Sequence, residues 1–245
     1  MPATSKPTEA STVSLRIEHL PFLVRLVSDR EDLSKAIDTR YQAYARHLPD
    51  FAQTLIEPEA LDDEEGVVVL LAESKLDGSA LGTMRIQTNQ YRPLLLEQSI
   101  DLPDWLRGKS VAEATRLGIT DRRGSSLIKA VLFKAFYHYC LDKDIHSMVI
   151  AARSPMDRQY MALLFEEVYP EKGFIELRHA NNIPHRVLSL NVANAETLWS
   201  QNNHPLLDFM CNVNHPDLHV PAAGTDGSFY PPLGEQIEPK SGYVM

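Results

Sequence analysis

The run Val111-Ala112-Glu113-Ala114-Thr115-Arg116-Leu117-Gly118-Ile119, followed by Thr120-Asp121-Arg122-Arg123-Gly124-Ser125-Ser126, decides how the chain is read. The first nine residues have the apolar content of a buried strand. Residues 121–125 make a polar loop with two arginines and a glycine, and residues 126–141 are apolar enough for a buried helix. The first turn of such a helix offers free backbone N–H groups and the positive end of the dipole, so it can hold a phosphate. Arg122 and Arg123 add charge, and Gly124 lets the backbone approach a ligand closely. A plain solvated cap of Arg and Ser satisfies the same pattern. Glu113 and Arg116 are harder to place on a surface, because their neighbours are Val, Ala, Leu and Ile. A buried charge without a partner is costly, so each demands one. Residues three apart in a regular strand point to opposite faces. If both serve one cleft, a bulge near Ala114 or Thr115 must re-aim one of them.

Upstream of this run, residues 21–27 read as a strand and Ser28-Asp29-Arg30-Glu31 as a capping-box pattern opening a helix that runs to about Arg46. Leu33, Ile37, Tyr41 and Tyr44 form its apolar stripe, with Arg40 beside it; a short helix covers residues 51–56. Residues 66–74 and 80–88, joined by Asp77-Gly78, give a β-hairpin signal, and Arg85 sits among apolar neighbours in its second strand. Residues 89–109 read as an insertion. Downstream, residues 148–152 read as a strand, 157–168 as a helix, and 174–178 with 186–192 as a closing pair of strands. Three consecutive strands exclude simple strand–helix alternation and fit a mixed sheet flanked by helices, of α+β or mixed α/β class. The organisation expected is a disordered tail over residues 1–14, one domain over 15–200, and a C-terminal extension over 201–245 that is helical, then irregular and proline-rich. Arg40, Arg85 and Arg116 are thus three arginines in half-buried contexts, with Glu113 and the Asp62-Asp63 pair as counter-ions. A structural ion-pair network and a functional cleft both fit that grouping.

Bulk composition narrows the function classes. The 245 residues are 44% hydrophobic and carry a net charge of −9, with no basic excess to suggest a nucleic-acid binder. Cys140 and Cys211 fit reduced buried thiols better than a disulfide. The N-terminal residues lack the apolar core of a signal peptide, and no apolar run is long enough to span a membrane, so a cytoplasmic location is expected. His204, His215 and His219 lack metal-ligand spacing, and no metal is expected.

Taken in order, Arg40-x-x-x-Tyr44, Asp62-Asp63, Gly82-Thr83-Met84-Arg85 and Glu113-x-x-Arg116-Leu117 resemble the LuxI-type acyl-homoserine-lactone synthases, and more closely the FeeM-type N-acyl amino acid synthases. Both are distant relatives of the GNAT acetyltransferases. The resemblance covers roughly residues 22–192 and extends to the late His215-Pro216-Asp217. It implies a GNAT-like, mostly antiparallel sheet. It also implies an acyltransferase with Arg40, Asp62 or Asp63, Arg85, Glu113 and Arg116 around the acceptor, Glu113 being the candidate base. Leu117, Ile119 and the loop Arg122-Arg123-Gly124-Ser125-Ser126 would hold the donor. That loop is poorer in glycine than a GNAT pyrophosphate loop, which favours acyl-phosphopantetheine on an acyl carrier protein over acyl-CoA, with no tightly bound cofactor. Carrier proteins are acidic, so a local basic patch is expected around Arg122, Arg123 and Lys129, with Arg107 and Lys109 as helpers. The GNAT position for a thiolate-protonating tyrosine holds Phe165, with Tyr160 and Tyr169 nearby. A long acyl chain would lie between splayed strands 111–119 and 147–152, near Phe133, Phe136, Met148 and Ile150, each of which also fits plain core. The function implied is N-acylation of an amino acid or other small amine. The alternatives are an acyl-homoserine-lactone synthase, an acyl-CoA N-acyltransferase and an idle acyl-thioester-binding module.

Overall fold

Residues 16–120 and 124–220 are described by the structure, a computed structural model; the expected tail over 1–14 and most of the irregular end lie outside them. The chain order is β1 (Arg16–Ile17), β2 (Phe22–Leu26), α1 (Arg30–Ala45), α2 (Pro49–Gln53), β3 (Val67–Ser74), β4 (Ala80–Thr88), β5 (Val111–Ile119), α3 (Ser125–Asp142) and β6 (Ser147–Ala152). It continues with α4 (Met156–Ala162), β7 (Glu166–Glu167), β8 (Phe174–Leu177), β9 (Ile183–Asn191), α5 (Val192–Gln201), β10 (Val213–Asn214) and β11 (Leu218–His219). The main sheet has the order β11-β2-β3-β4-β5-β6-β9-β7, with β8 also on β9. Its long pairings are antiparallel except β5 with β6, and β11 joins β2 in parallel at the far edge. This is the mixed, mostly antiparallel sheet with flanking helices that the motifs imply.

Alternation along the strands gives the sheet two unlike faces. On one face Leu70, Met84, Ile86, Ala112, Ala114, Met148 and Ile150 pack with Ile128, Val131, Leu132 and Phe136 of α3 into the main core. On the other, Val69 and Leu71 meet Leu33, Ala36 and Ile37 of α1. Here too are Arg85 and Gln87, whose register partners on β5 are Thr115 and Glu113. Residues 94–111 close a second apolar cluster on that face around Leu94, Leu96, Val111, Val149 and Val187. Phe133, Phe136, Met148 and Ile150 are all buried in the main core.

Two boundaries differ from the sequence expectation. The expected helix over 157–168 stops at Ala162, because Leu164 turns left-handed (φ 66°) and Glu166 and Glu167 then pair with β9. Its apolar periodicity was that of a helix followed by a short edge strand, Glu166–Glu167, whose flanking Phe165 and Val168 are buried. At the start of α1 the capping side chain is Asp29, which accepts from the Asp32 N–H at 2.8 Å, rather than Ser28.

The described part of the C-terminal extension is stitched to the sheet. β11 pairs with β2, β10 forms a separate two-stranded sheet with β1, and Asp217 accepts from the Leu20 N–H at 2.7 Å and meets Lys75 at 2.5 Å. Lys134 of α3, buried and with its ammonium pushed down to about 8 by desolvation, donates to the carbonyls of Phe209 (2.6 Å) and Val213 (2.5 Å). No helix among the described residues is long and apolar enough to cross a membrane.

Gly118 sets how closely α1 lies on β5. A Cβ there would stand 3.1 Å from the Arg40 Cα and 3.3 Å from the Thr39 carbonyl oxygen. Gly118→Val should therefore push α1 off the sheet and lower stability by about 1–3 kcal/mol. A urea midpoint equal to that of the wild type would contradict this close packing.

Candidate active site

Opposite Met84, β5 carries two residues, Arg116 and Leu117: Thr83 pairs with Gly118 but Arg85 pairs with Thr115. This is a bulge, and Arg116 adopts a left-handed backbone (φ 55°) within it. The extra residue turns the Arg116 side chain onto the face that already carries Thr115 and Glu113. The expected bulge exists, one residue further along than its forecast position.

The three arginines of the sequence reading converge, but on a residue that reading overlooked. Glu59 and Asp62 belong to the turn before β3. Arg116 grips Glu59 with Nε and Nη2, both at 2.7 Å, and Arg85 and Arg40 reach it at 3.0 and 3.1 Å. Asp62 takes a bidentate pair from Arg40, 3.0 Å each, and a bond of 3.1 Å from Arg85, whose Nε also donates to the Thr115 hydroxyl. Burial alone would raise the Glu59 carboxyl, but the Arg116 hydrogen bonds and the three guanidiniums outweigh it and hold it down to about 2. Asp62 is depressed for the same reasons, with Arg40 as its main partner. Asp63 points outward to Arg30, 2.9 Å away, so Asp62 is the inward member of the acidic pair. Glu59 went unremarked because Glu57 to Glu65 is acidic enough to pass for a solvated run; its one signal is the Glu59-x-x-Asp62 spacing, which closes as a turn with Asp62 accepting from the Glu59 N–H.

Glu113 stands on the same face but makes no ion pair with an arginine among the described residues. It is fully buried behind the turn Leu95–Gln98, where its Oε2 accepts from the Leu96 N–H at 3.2 Å, while Oε1 has no hydrogen-bond partner among the described residues. Desolvation pushes its carboxyl up to about 7. The nearest ionisable neighbour on the open side is His179, whose Nε2 lies 3.9 Å from Glu113 Oε1.

β5 and β6 pair only from Val111↔Ser147 to Ala114↔Ile150 and then diverge. Between their separated ends lies a cleft of about 300 Å³. The backbone of β5 beyond Ala114 has no strand partner on this side, so its N–H groups can serve a ligand. Thr115, Arg116, Leu117, Ile119 and Ser125 line the cleft. Gly124, left-handed at φ 80°, starts α3; Ser126 is exposed and outside the lining, and Arg122 and Arg123 lie outside the described residues. Arg46, His47, Lys129, Arg153, His179 and His185 also line it, and no Asp or Glu does among the described residues. Arg40, Arg85, Asp62 and Glu113 sit behind its wall. Of the tyrosines near α4, Tyr160 lines the cleft, whereas Tyr169 is bonded to the Asp101 carbonyl and Phe165 packs on Phe133 in the core.

Comparison with solved structures identifies the architecture as GNAT-like. FeeM, an N-acyl amino acid synthase from uncultured soil microbes, matches over 74% of this chain and 96% of its own, with a TM-score of 0.59 and 18% identity. BjaI, a CoA-dependent acyl-homoserine lactone synthase, matches over 82% and 94%, with a TM-score of 0.51 and 15% identity. These are the two kinds of enzyme that the sequence motifs resemble. Identities this low establish a shared fold. No protein-family profile matches the chain, and no curated protein sequence does.

Removing one partner of a buried charge cluster leaves the others uncompensated. Glu59→Gln should cost about 3–5 kcal/mol of stability. Because the Glu59 carboxyl is lowered from 4.5 to about 2 on folding, its contribution is present above pH 4.5 and lost as pH falls towards 2. Urea titrations across that range should show a smaller acid loss in Glu59→Gln than in the wild type; identical pH dependence would remove Glu59 from the cluster.

Proposed function

We propose that the protein is an N-acyltransferase that moves a long-chain acyl group from the phosphopantetheine thioester of an acyl carrier protein onto the amine of an amino acid. The observation that carries this reading is the cleft itself. It lies between diverging strands, is lined by basic side chains with no carboxylate among the described residues, and belongs to a protein of net charge −9. Arg46 bonds to backbone carbonyls and Lys129 to Gln159, so their charges remain for an anionic ligand. Ser125 and Lys129, at the start of α3 and in the cleft lining, would take a donor phosphate. Arg153, which also lines the cleft, would take an acceptor carboxylate. The likeness to FeeM supports this choice among the reactions that a GNAT-like fold can host.

The chemistry follows from these groups. An α-amine is protonated at neutral pH and must lose a proton before it attacks the thioester. Glu113, with its carboxyl near 7, is poised as the final proton acceptor. The open N–H groups of β5 beyond the bulge can stabilise the thioester oxyanion. Tyr160, which lines the cleft, would protonate the leaving thiolate. Glu113→Gln should lower kcat by about 10²–10⁴-fold with the donor KM little changed. Equal losses in both would make Glu113 structural.

BjaI is described as CoA-dependent, so coenzyme A is the competing donor. The deciding experiment offers acyl-carrier and acyl-CoA donors from fourteen carbons down to two, with a panel of amino acids, and detects amides by mass spectrometry. Each methylene lost should lower kcat/KM by about fourfold, the equivalent of about 0.8 kcal/mol. Acetyl donors reacting as well as long ones would overturn the long-chain reading, and carrier kinetics insensitive to salt would overturn the carrier protein in favour of coenzyme A.

A further inference from the structure

Glu113 is fully buried and does not line the cleft, so it cannot take a proton from an acceptor directly. No Asp or Glu lines the cleft among the described residues, which leaves the imidazoles of His47, His179 and His185 as bases. His47 is exposed on the turn between α1 and α2. His179 Nδ1 is buried, and its Nε2 turns towards Glu113. His185 differs from both. Its Nδ1 lies 2.7 Å from the Ile183 carbonyl oxygen, which can only accept, so Nδ1 carries the proton and Nε2 bears the lone pair. Nε2 has no partner among the described residues and, unlike His179 Nδ1, is not closed off from solvent. Along β9, His185 alternates to the same side as Val187, and so faces the polar side of the sheet with Thr115. Ser125, Lys129, Met156 and Tyr160 line the cleft from the α3 side. The gap between β5 and β6 thus has a donor end and an acceptor end, and His185 stands at the second.

We propose that His185 is a catalytic residue of this acyl transfer, the general base that touches the acceptor and takes its ammonium proton at Nε2. The proposal rests on the acyl-transfer reading above and supplies its first step; Glu113, out of reach of the acceptor, acts only after it. In sequence, the ammonium gives one proton to Nε2, and the freed lone pair forms the C–N bond to the thioester carbon. The C–S bond breaks, and the thiolate leaves with its electron pair. The second nitrogen proton makes good the one that the thiolate takes. One proton net remains on His185, which releases it to water in the open cleft. The groups around the ring fit this task. Burial lowers its proton affinity most; the Ile183 carbonyl raises it, and Arg153 and Arg116 lower it further. His179 is the other titratable group beside it, and Ile175, its register partner on β8, carries no charge. The ring is therefore neutral at pH 7. The positive field of Arg153 and Arg116 also weakens the hold of a bound ammonium on its proton, which narrows the gap between donor and base.

The experiment uses His185→Asn and His185→Ala in the full-length protein. Asparagine can keep the bond to the Ile183 carbonyl while removing Nε2. His185→Asn should lower kcat with an α-amino acid by about 10²–10⁴-fold and leave the donor KM unchanged. With hydroxylamine, which is unprotonated at neutral pH, the same variant should lose less than about tenfold. Free imidazole should restore activity to His185→Ala, because the space it leaves opens on the cleft. Independently of turnover, ring ¹⁵N shifts of the wild type should show His185 protonated at Nδ1 and bare at Nε2 at pH 7, and titrating below 6.5. Undiminished turnover by His185→Asn, a loss that neither hydroxylamine nor imidazole relieves, or a proton resident on Nε2 at pH 7 in an active wild type overturns the role of His185 alone. A wild type that acylates no amine overturns the reaction beneath it, and the base with it.

Discussion

The clasp between Arg116 and Glu59 organises everything around it. A guanidinium this deeply buried needs a carboxylate, and a non-glycine residue in the left-handed region costs on the order of 1 kcal/mol or more, so the bulge persists only because the clasp repays it. Through that one contact the middle of β5 is tied to the turn before β3, and through Arg40 and Asp62 to α1. Arg116 also holds the carbonyl of His179, so the loop that closes the cleft hangs from the same side chain. Core packing on the α3 side needs none of this. The polar face depends on it throughout.

The fold was legible because its strands alternate cleanly and its helices carry strong stripes. Misreadings fell where two periodicities are hard to separate. Residues 157–168 are apolar at helical spacing, yet only Met156–Ala162 is helix, and the remainder is bent into the sheet edge by a left-handed Leu164. The arginines were found because charge among apolar neighbours is conspicuous. Their principal counter-ion was not, since Glu59 lies in an acidic stretch and only the folded turn singles it out. His179 had no signal at all: a lone histidine in a loop gains meaning only from the carboxylate that a distant strand sets beside it.

The electrostatics divide the site into two compartments. In the buried one, three guanidiniums meet Glu59 and Asp62, leaving a positive surplus beside Glu113. In the open one, basic side chains face a gap with low-dielectric walls. Such a gap focuses potential, so an acidic protein presents one local site that attracts anions. The wall between the compartments is thin, made of Thr115, Arg116 and His179, and charge on either side is felt on the other.

The short parallel pairing of β5 with β6 has a mechanical consequence. Four register pairs hold the strands together, and the cleft begins where the fourth, Ala114↔Ile150, ends. The gap is therefore the open end of a zip. A bulky occupant can widen it only by undoing that last rung, and the rung next behind it, Glu113↔Val149, carries the buried carboxylate. Cleft width and the surroundings of Glu113 are thus one coordinate, so an occupant that forces the strands apart also lets water reach the acid behind them.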